Sequence, residues 1–239
     1  MTFSRGTVEE IAAALAANGL ILRGGFSFGD DEMAPAGLSG APAKSVLLIG
    51  QAGAAPWSHF QRWRERQARD IANPLDSWSC EVIGAVAQEF GVRAVSPSDR
   101  PYLPFQQWAM RAEGLKPSPL GILMHPAYGL WHAYRGALLF EDEISPPEAH
   151  EAIHLCDTCV EKPCLKSCPV GAYSVAGFAH EACLVHVRGT DGAPCRAGGC
   201  LDRNACPYGA EYRYRADVQA FHMAAFAGTV GILPNRTET

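Results

Sequence analysis

The chain has 239 residues, of which 48% are hydrophobic and 19% charged, enough for two unequal domains with a substantial core. Twenty basic and twenty-five acidic residues give a net charge of −5, so the chain has no general electrostatic attraction for nucleic acid, and none is expected as a partner. It has no run of about eighteen apolar residues, and residues 1–6 lack the basic-then-apolar pattern of a signal peptide. We therefore expect a cytoplasmic protein without a membrane partner.

Residues 7–113 predict alternating helices and strands. Thr7 and Glu10 form a capping box that predicts the start of a helix, with Thr7 as N-cap. Gly19 is the stop signal that predicts the end of this helix. Residues 45–50 are almost wholly apolar, which is typical of a buried strand. The other predicted elements are, in chain order, a strand at 20–28, helices at 59–71 and 75–90, a strand at 92–95 and a helix at 105–113.

Residues 120–124 and 130–141 are two apolar stretches separated by a turn at 126–129. This pattern predicts an antiparallel hairpin in the core of the first domain. Ser145-Pro146-Pro147 follows as a predicted linker, so we expect one domain over residues 1–147 and another over 148–239. A helical tail at 216–227 is expected to pack back.

Eight of the nine cysteines lie between residues 156 and 206. In a reducing compartment, this density favours metal ligation over disulfides. Residues 164–172 and 200–210 are similar to each other, and each ends in Cys-Pro-x-Gly-Ala, which indicates two similar metal sites. The ninth cysteine, Cys80, lies in a helix-like stretch and is interpreted as a small packed hydrophobic residue.

The cysteine spacing is typical of iron–sulfur proteins. Bacterial two-cluster ferredoxins contain C-x2-C-x2-C-x3-C-P, in which the fourth cysteine ligates the other cluster. The first half here has a longer middle gap, C-x2-C-x4-C-x3-C-P, so its loop must bulge, and the second half is looser still. The crossing rule assigns one [4Fe–4S] cluster to Cys156, Cys159, Cys164 and Cys206, and the other to Cys168, Cys183, Cys195 and Cys200.

Structural zinc is the alternative for these cysteines, because two tetrahedral four-cysteine sites would also use eight thiolates. Zinc sites usually present two C-x2-C pairs, whereas this sequence has one such pair. The two Cys-Pro endings favour iron–sulfur clusters.

Two resemblances extend this interpretation. Residues 150–212 resemble the ferredoxin-like domain of epoxyqueuosine reductases and reductive dehalogenases, in which an isolated cysteine, matched here by Cys183, also precedes the compact second group. Residues 125–136 resemble the His-Pro-x-aromatic-Gly-x-Trp-x-x-x-Arg-Gly signature of the human-type cobalamin-processing family of decyanases and dealkylases. The resemblances imply an α+β fold, with a nitroreductase-like domain that holds a corrinoid followed by a dicluster ferredoxin-like domain.

The residues of the signature also suggest a binding site for a flat ligand. Gly129 would permit close backbone approach, Trp131 offers an apolar wall, Arg135 suits an anionic group, and His125 suits a metal or a ligand side chain. The alternative is that Trp131 and Tyr134 are core residues, Arg135 pairs with a carboxylate and His125 caps a turn. The predicted cofactor-binding residues are His125, Tyr128, Gly129, Trp131 and Arg135.

One feature departs from the epoxyqueuosine reductase pattern. That family carries an acidic general acid shortly before the helix that matches residues 105–113. Residues 102–107 contain no carboxylate, and the nearest candidate is Asp99. Because epoxide reduction needs a proton donor, a role in transfer RNA modification is not expected.

These observations predict an iron–sulfur oxidoreductase that passes electrons through two [4Fe–4S] clusters to a cobalamin in the N-terminal domain. It would be a corrinoid reductase or a corrinoid-dependent reductase, with a small-molecule ligand and an electron donor of the flavodoxin or ferredoxin reductase type. One alternative is a ferredoxin-like electron-transfer protein without a substrate of its own. The other is a flavin-dependent reductase, since nitroreductase-like domains can hold FMN.

Overall fold

The structure is a computed structural model that describes residues 5–144 and 153–228. The chain divides into two compact units. The first takes the described residues of Met1–Lys116 and His132–Ile153, and the second those of Pro117–Trp131 and His154–Thr239. The chain therefore enters the second unit at residue 117 and returns to the first unit at residue 132. The predicted single boundary at 147 does not describe this order. The predicted linker at 145–147 lies outside the described residues.

Helices and strands alternate up to residue 140, which confirms a mixed α and β fold. The elements are α1 (Arg5–Ala16), β1 (Ile21–Ser27), β2 (Ser45–Ala52), α2 (Trp57–Arg64), α3 (Pro74–Phe90), β3 (Arg93–Val95), α4 (Phe105–Glu113), β4 (Lys116–Pro117), β5 (Leu123–Met124) and β6 (His132–Phe140). Four strands form an antiparallel sheet in the order β1-β2-β6-β3. The strands β4 and β5 form a separate two-stranded sheet.

The core of the first unit lies around β2. Seven consecutive residues of this strand, Ser45 to Gln51, are buried, so both of its faces are covered. Strand β2 lies between β1 and β6, while α4 contacts β1 and α3 contacts β6. A strand covered on both faces needs a continuous apolar run, which is the pattern that predicted it.

Two helices differ from their predicted bounds. Helix α1 begins at Arg5, so Thr7 lies inside the helix and the prediction of Thr7 as N-cap is wrong. Helix α2 ends at Arg64, well before the predicted end at 71. The Arg64 guanidinium donates to the carbonyl oxygens of Ala68 and Arg69, 2.6 and 2.5 Å away. These carbonyl groups therefore have hydrogen-bond donors although they lie outside a helix.

Helix α3 has one buried face and one exposed face. Trp78, Ser79, Ile83 and Val86 are buried, whereas Cys80 is exposed. The interpretation of Cys80 as a packed hydrophobic residue is therefore wrong, because its position in the helical turn points it away from the core.

The predicted hairpin between residues 120–124 and 130–141 is also wrong. Strand β6 pairs with β2 and β3, and β5 lies in the separate small sheet. Between β5 and β6, His125 and Gly129 exchange two backbone hydrogen bonds of 2.9 and 3.0 Å that close a tight loop. Both stretches are apolar and largely buried, but apolarity does not specify the partner of a strand.

The second unit consists mainly of short helices and turns. Its further elements are α5 (Leu155–Thr158), β7 (Tyr173–Ser174), β8 (Gly177–Phe178), α6 (His180–Arg188), α7 (Ala193–Gly198), α8 (Leu201–Asn204) and α9 (Ala216–Ala227). Helix α9 has the predicted bounds and packs against α6 and α7, which confirms the helical tail. Across the described ranges, no helix has the length and apolar character needed to cross a membrane.

A buried ionic network joins β1, α4 and β6 in the first unit. Arg23, 1% exposed, donates from Nε and Nη2 to the two carboxylate oxygens of Glu113 over 3.0 and 2.9 Å. Its Nη1 lies 3.2 Å from Nδ1 of His132, and Tyr134 donates its hydroxyl to Glu113. Burial raises the pKa of Tyr134, so its hydroxyl stays protonated as a donor.

Two glycines in the second unit allow two backbone segments to meet. Gly129 has a φ of +56°, and a Cβ there would lie 2.1 Å from the carbonyl oxygen of Tyr208. Gly209 has a φ of +67°, and a Cβ there would lie 2.3 Å from the carbonyl carbon of Tyr128. Each position therefore requires glycine for both its conformation and its space.

We expect Glu113→Ala to destabilise the protein by about 3–5 kcal/mol, because it leaves the buried Arg23 guanidinium without its carboxylate. The matched control is Glu32→Ala, which removes the carboxylate paired with the exposed Arg111 and should change stability little. Urea denaturation of both variants measures the difference. Equal effects would contradict the assignment of a structural role to the buried pair.

We expect Gly129→Ala to cost more stability than Gly171→Ala. Gly171 has the same left-handed conformation, with a φ of +57°, but a Cβ there would meet no atom within 4 Å. The control should lose about 1–2 kcal/mol from its conformation, whereas Gly129→Ala adds a clash with the Tyr208 backbone. Thermal unfolding of the two variants tests this, and a similar loss in both would show that the contact is unimportant.

Candidate functional site

Four cysteines of the second unit lie close together around a buried position. Burial raises the pKa of Cys156 to about 11, and the neighbouring thiols of Cys206, Cys164 and Cys159 raise it further against the charge of Lys162. Cys206 and Cys159 likewise raise the pKa of Cys164, after burial. We name Cys156, Cys159, Cys164 and Cys206 the first cysteine set.

A small cavity has all four thiols of the first cysteine set in its lining. Its other walls are apolar or come from the turns that carry the cysteines, and include Met124, Leu130, Pro163, Pro207 and Tyr208. Lys162 also lines the cavity and donates from Nζ to the carbonyl oxygen of Cys156. The first cysteine set thus surrounds a space of its own beneath the loop at 125–129.

The remaining four cysteines form a second group. Burial raises the pKa of Cys183 to about 11, with further contributions from the thiols of Cys200, Cys168 and Cys195. Cys168 and Cys200 likewise raise the pKa of Cys195. We name Cys168, Cys183, Cys195 and Cys200 the second cysteine set.

Polar and apolar neighbours surround the second cysteine set. The backbone N–H of Ala172 donates to Sγ of Cys168 over 3.4 Å, and Nε2 of His186 lies 3.7 Å from Sγ of Cys195. Cys183 and Cys195 pack with Met223 and Phe226 of α9. N–H donors to sulfur are a feature that adjusts the potential of metal–thiolate centres.

The chain crosses between the two sets. Cys168 follows Cys164 by four residues but belongs to the second cysteine set, and Cys206 follows Cys200 but belongs to the first. The two groups of thiols thus have the same members as the ligand groups expected from the crossing rule. Within residues 5–144 and 153–228, no three His, Cys, Asp or Glu side chains are arranged around one metal ion. Each thiolate of a four-iron cluster binds a different iron atom, so a cluster needs a wider arrangement than a single ion.

His125 caps the loop that precedes β6. Its Nδ1 accepts backbone hydrogen bonds from Ala127 and Tyr128 over 3.0 and 3.1 Å, and its ring stacks on Tyr128 at 4.1 Å. Because Nδ1 is an acceptor, the neutral ring carries its proton on Nε2. In this structure, His125 therefore caps a turn, as one of the two interpretations of the sequence expected, and its Nδ1 does not face a metal site.

Trp131 is a core residue of the second unit and has no exposed surface. The Arg203 guanidinium lies 4.4 Å from its ring centre, and Tyr214 packs edge-on at 5.4 Å. Arg203 also donates to the carbonyl oxygen of Leu130 over 2.6 Å. The ring of Trp131 is therefore enclosed within the second unit, which differs from the predicted wall of an open ligand site. Its Nε1 is buried and has no hydrogen-bond partner among the described residues.

Arg135 lies in the first unit, whereas the other four predicted ligand residues lie in the second. Its Nε donates to Oε1 of Gln51 over 2.8 Å, and its Nη1 lies 4.0 Å from a carboxylate oxygen of Asp76. This pairing with a carboxylate is the alternative that the sequence left open. Asp99, the nearest carboxylate before α4, accepts the backbone N–H of Ser96 over 2.7 Å in a turn.

Sequence reasoning missed Asp202, a fully buried carboxylate in α8. Its Oδ1 accepts the backbone N–H of Ser167 over 3.0 Å, which ties the two cysteine-rich segments together. The repeat contains a pattern that could have identified Asp202, since its two halves begin Cys164-Leu165-Lys166 and Cys200-Leu201-Asp202. An acidic residue in the place of a basic one marks a difference between two otherwise similar halves.

No protein-family model matches the chain, and no curated protein matches it. Some solved structures, however, are similar to it in fold. A B12-trafficking protein CblC of C. elegans, a homologue of human MMACHC, has a TM-score of 0.55 at 13% identity, over 98% of each chain. An epoxyqueuosine reductase, solved with an epoxyqueuosine-modified tRNA-Tyr stem loop, has a TM-score of 0.50 at 16% identity, over 87% of this chain and 66% of that one. At such low identity the likeness shows a shared fold.

Proposed function

We propose that this chain is an iron–sulfur redox protein that binds two [4Fe–4S] clusters and passes electrons to a corrinoid. The observation that carries the proposal is the cavity lined by all four thiols of the first cysteine set. Three of these thiols come from one short segment and the fourth comes from beyond Cys200, which is the arrangement of a dicluster ferredoxin.

The thiols are set up to bind metal with release of protons. Burial raises the pKa of Cys156 and Cys183 to about 11, so both hold their protons at neutral pH until metal binds. The apolar neighbours Met124 and Leu130 then shield the first cysteine set from water. When bound, [4Fe–4S] clusters supply electrons one at a time, often at low potential, which suits the reduction of cobalt.

A corrinoid as the electron acceptor is supported by two observations. The fold is similar to that of a protein named for B12 trafficking, along nearly the whole of both chains. In addition, the loop at 125–131, which carries most of the signature, packs directly against the turn after Cys206 through Gly129 and Gly209. We propose that an electron donor of the flavodoxin or ferredoxin reductase type reduces the clusters.

A second function is a plain electron carrier that has no substrate of its own. The burial of Trp131 and the bonding of Arg135 to Gln51 favour it, because both side chains have packing or pairing partners within the chain. Under this alternative, the residues 125–136 shape the protein and the clusters exchange electrons with partner proteins.

We expect anaerobically purified protein to contain about eight iron atoms and eight sulfides per chain, and little zinc, because each cysteine set would hold one four-iron cluster. Elemental analysis with sulfide determination measures this. Two equivalents of zinc in place of iron would show that the sites are structural zinc sites.

Cysteine variants test the membership of the two sets. Cys206→Ser should remove or alter the cluster held by Cys156, Cys159 and Cys164, and Cys183→Ser should affect the other, with a loss of about half of the iron in each case. The control is Cys80→Ser, which changes an exposed thiol of the first unit and should leave the iron content unchanged. Paramagnetic resonance spectra of the reduced variants identify the cluster that remains. Loss of the same cluster in both variants would contradict the crossed assignment.

Anaerobic titration with hydroxocobalamin distinguishes the two functions. For a corrinoid-reducing protein, we expect a saturable change in the visible spectrum, followed by cobalt reduction when the clusters have been reduced and excess dithionite removed. Cys206→Ser protein should bind the corrinoid but reduce it more slowly. An unchanged spectrum at high cobalamin, together with rapid oxidation of the clusters by an added flavoprotein, would instead favour the electron carrier.

A further inference from the structure

The two halves of the cysteine repeat carry opposite charges at one matching position. Residue 166 is a lysine in the first half, and the matching residue 202 is an aspartate in the second. Lys166 is 65% exposed and lies 3.6 Å from Glu161, whereas Asp202 is fully buried. The repeat therefore places opposite charges at matching positions, one in water and one inside the protein.

Asp202 lies among the thiols of the second cysteine set. It follows Cys200 by two residues. After burial, its charge helps to raise the pKa of Cys183, Cys195 and Cys200, and also that of Cys164 in the first cysteine set. Its Oδ1 accepts the N–H of Ser167, the residue before Cys168, while its Oδ2 is buried without a hydrogen bond from the described residues. The N–H donor at Oδ1 favours an ionised carboxylate at this position.

The first cysteine set has a positively charged neighbour, Lys162. Lys162 lines the same cavity as its four thiols, and its ammonium group donates to the carbonyl oxygen of Cys156. Burial raises the pKa of Cys156, and the charge of Lys162 opposes that rise. Burial also raises the pKa of Cys206, and the charge of Arg213 opposes that rise. The first site thus has a cation in its wall. The second has a buried carboxylate, and Arg196 is the cation that acts on its Cys195.

We propose that Asp202 and Lys162 are positioning and charge-setting residues that separate the reduction potentials of the two clusters, with the cluster of the second cysteine set the lower. This inference rests on the proposed function. Reduction adds an electron to a cluster, so a nearby negative charge opposes the reduced state and a positive charge stabilises it. Asp202 also fixes the backbone before Cys168, the thiol that crosses to the second cysteine set.

The test is a redox titration of the reconstituted full chain, followed by paramagnetic resonance. Cys206→Ser and Cys183→Ser assign each reduction step to its cluster. We expect Asp202→Asn, which keeps an acceptor oxygen but loses the charge, to favour reduction of the second cluster at least tenfold, a rise of about 59 mV. Lys162→Gln, which keeps a donor, should shift the first cluster in the opposite direction.

The matched controls are Glu181→Gln and Lys166→Gln. Glu181 is an exposed acid two residues before Cys183, and Lys166 is the exposed counterpart of Asp202 in the repeat, so neither should move either potential by a comparable amount. Coincident potentials in the unaltered protein, or a lower potential for the first cluster, would overturn the inference. Shifts no larger than those of the controls would do the same.

The inference and the proposed function fail in distinguishable ways. Protein without iron fails the proposed function before any potential is measured, whereas protein with eight irons and two equal potentials fails the inference alone. If Asp202→Asn does not retain iron, the Lys162→Gln shift still decides, because Lys162 lines the cavity of the first cysteine set whereas Asp202 binds the backbone before Cys168. A positioning role without an effect of charge would lower the iron content in Asp202→Asn and leave the potential of any remaining second cluster unchanged.

Discussion

The structure of the second unit depends on the crossing of the chain between its two cysteine sets. Cys168 and Cys206 each leave the segment that precedes them and join the opposite group, so neither half of the repeat can complete a group by itself. Two contacts hold the crossing in place. Asp202 binds the backbone just before Cys168, and Gly129 and Gly209 let the loop at 125–129 meet the turn just after Cys206. The positions of both thiols are therefore fixed by contacts between segments that are distant in sequence.

Local signals predicted the elements whose stability is mostly local or whose burial is extreme. Helix α4 and helix α9 have their predicted bounds, and the apolar run at 45–50 became the central strand β2. The partner of β6 was missed because β2, far earlier in the chain, offers a longer strand to pair with than the two-residue β5 does. The exposure of Cys80 was missed because it depends on which face of α3 meets the sheet, and the residue type does not determine that.

The candidate site shows the same division. Cysteine spacing and the two Cys-Pro endings predicted the two groups of four, since a short loop restricts which thiols can converge. The signature at 125–136 named residue types but not their surroundings. Trp131 is buried by Arg203 and Tyr214, and Arg135 is bonded to Gln51, all of them residues distant in sequence. Whether an aromatic or an arginine contacts a ligand or the core depends on such long-range packing, which a short motif does not contain.

If each cysteine set holds a cluster, as proposed, a simple repeat would give two equivalent clusters, and equivalent clusters give an electron no preferred direction. The burial of Asp202 is costly, because a carboxylate loses hydration that one hydrogen bond to Oδ1 only partly replaces, whereas Lys166 at the matching position remains in water. A charge that served the fold alone would be more stable in solvent or paired with a cation. Its place among the thiols is explained if the charge acts on what the thiols bind. The free energy lost by burying the carboxylate would then make the two halves of the repeat electrically different.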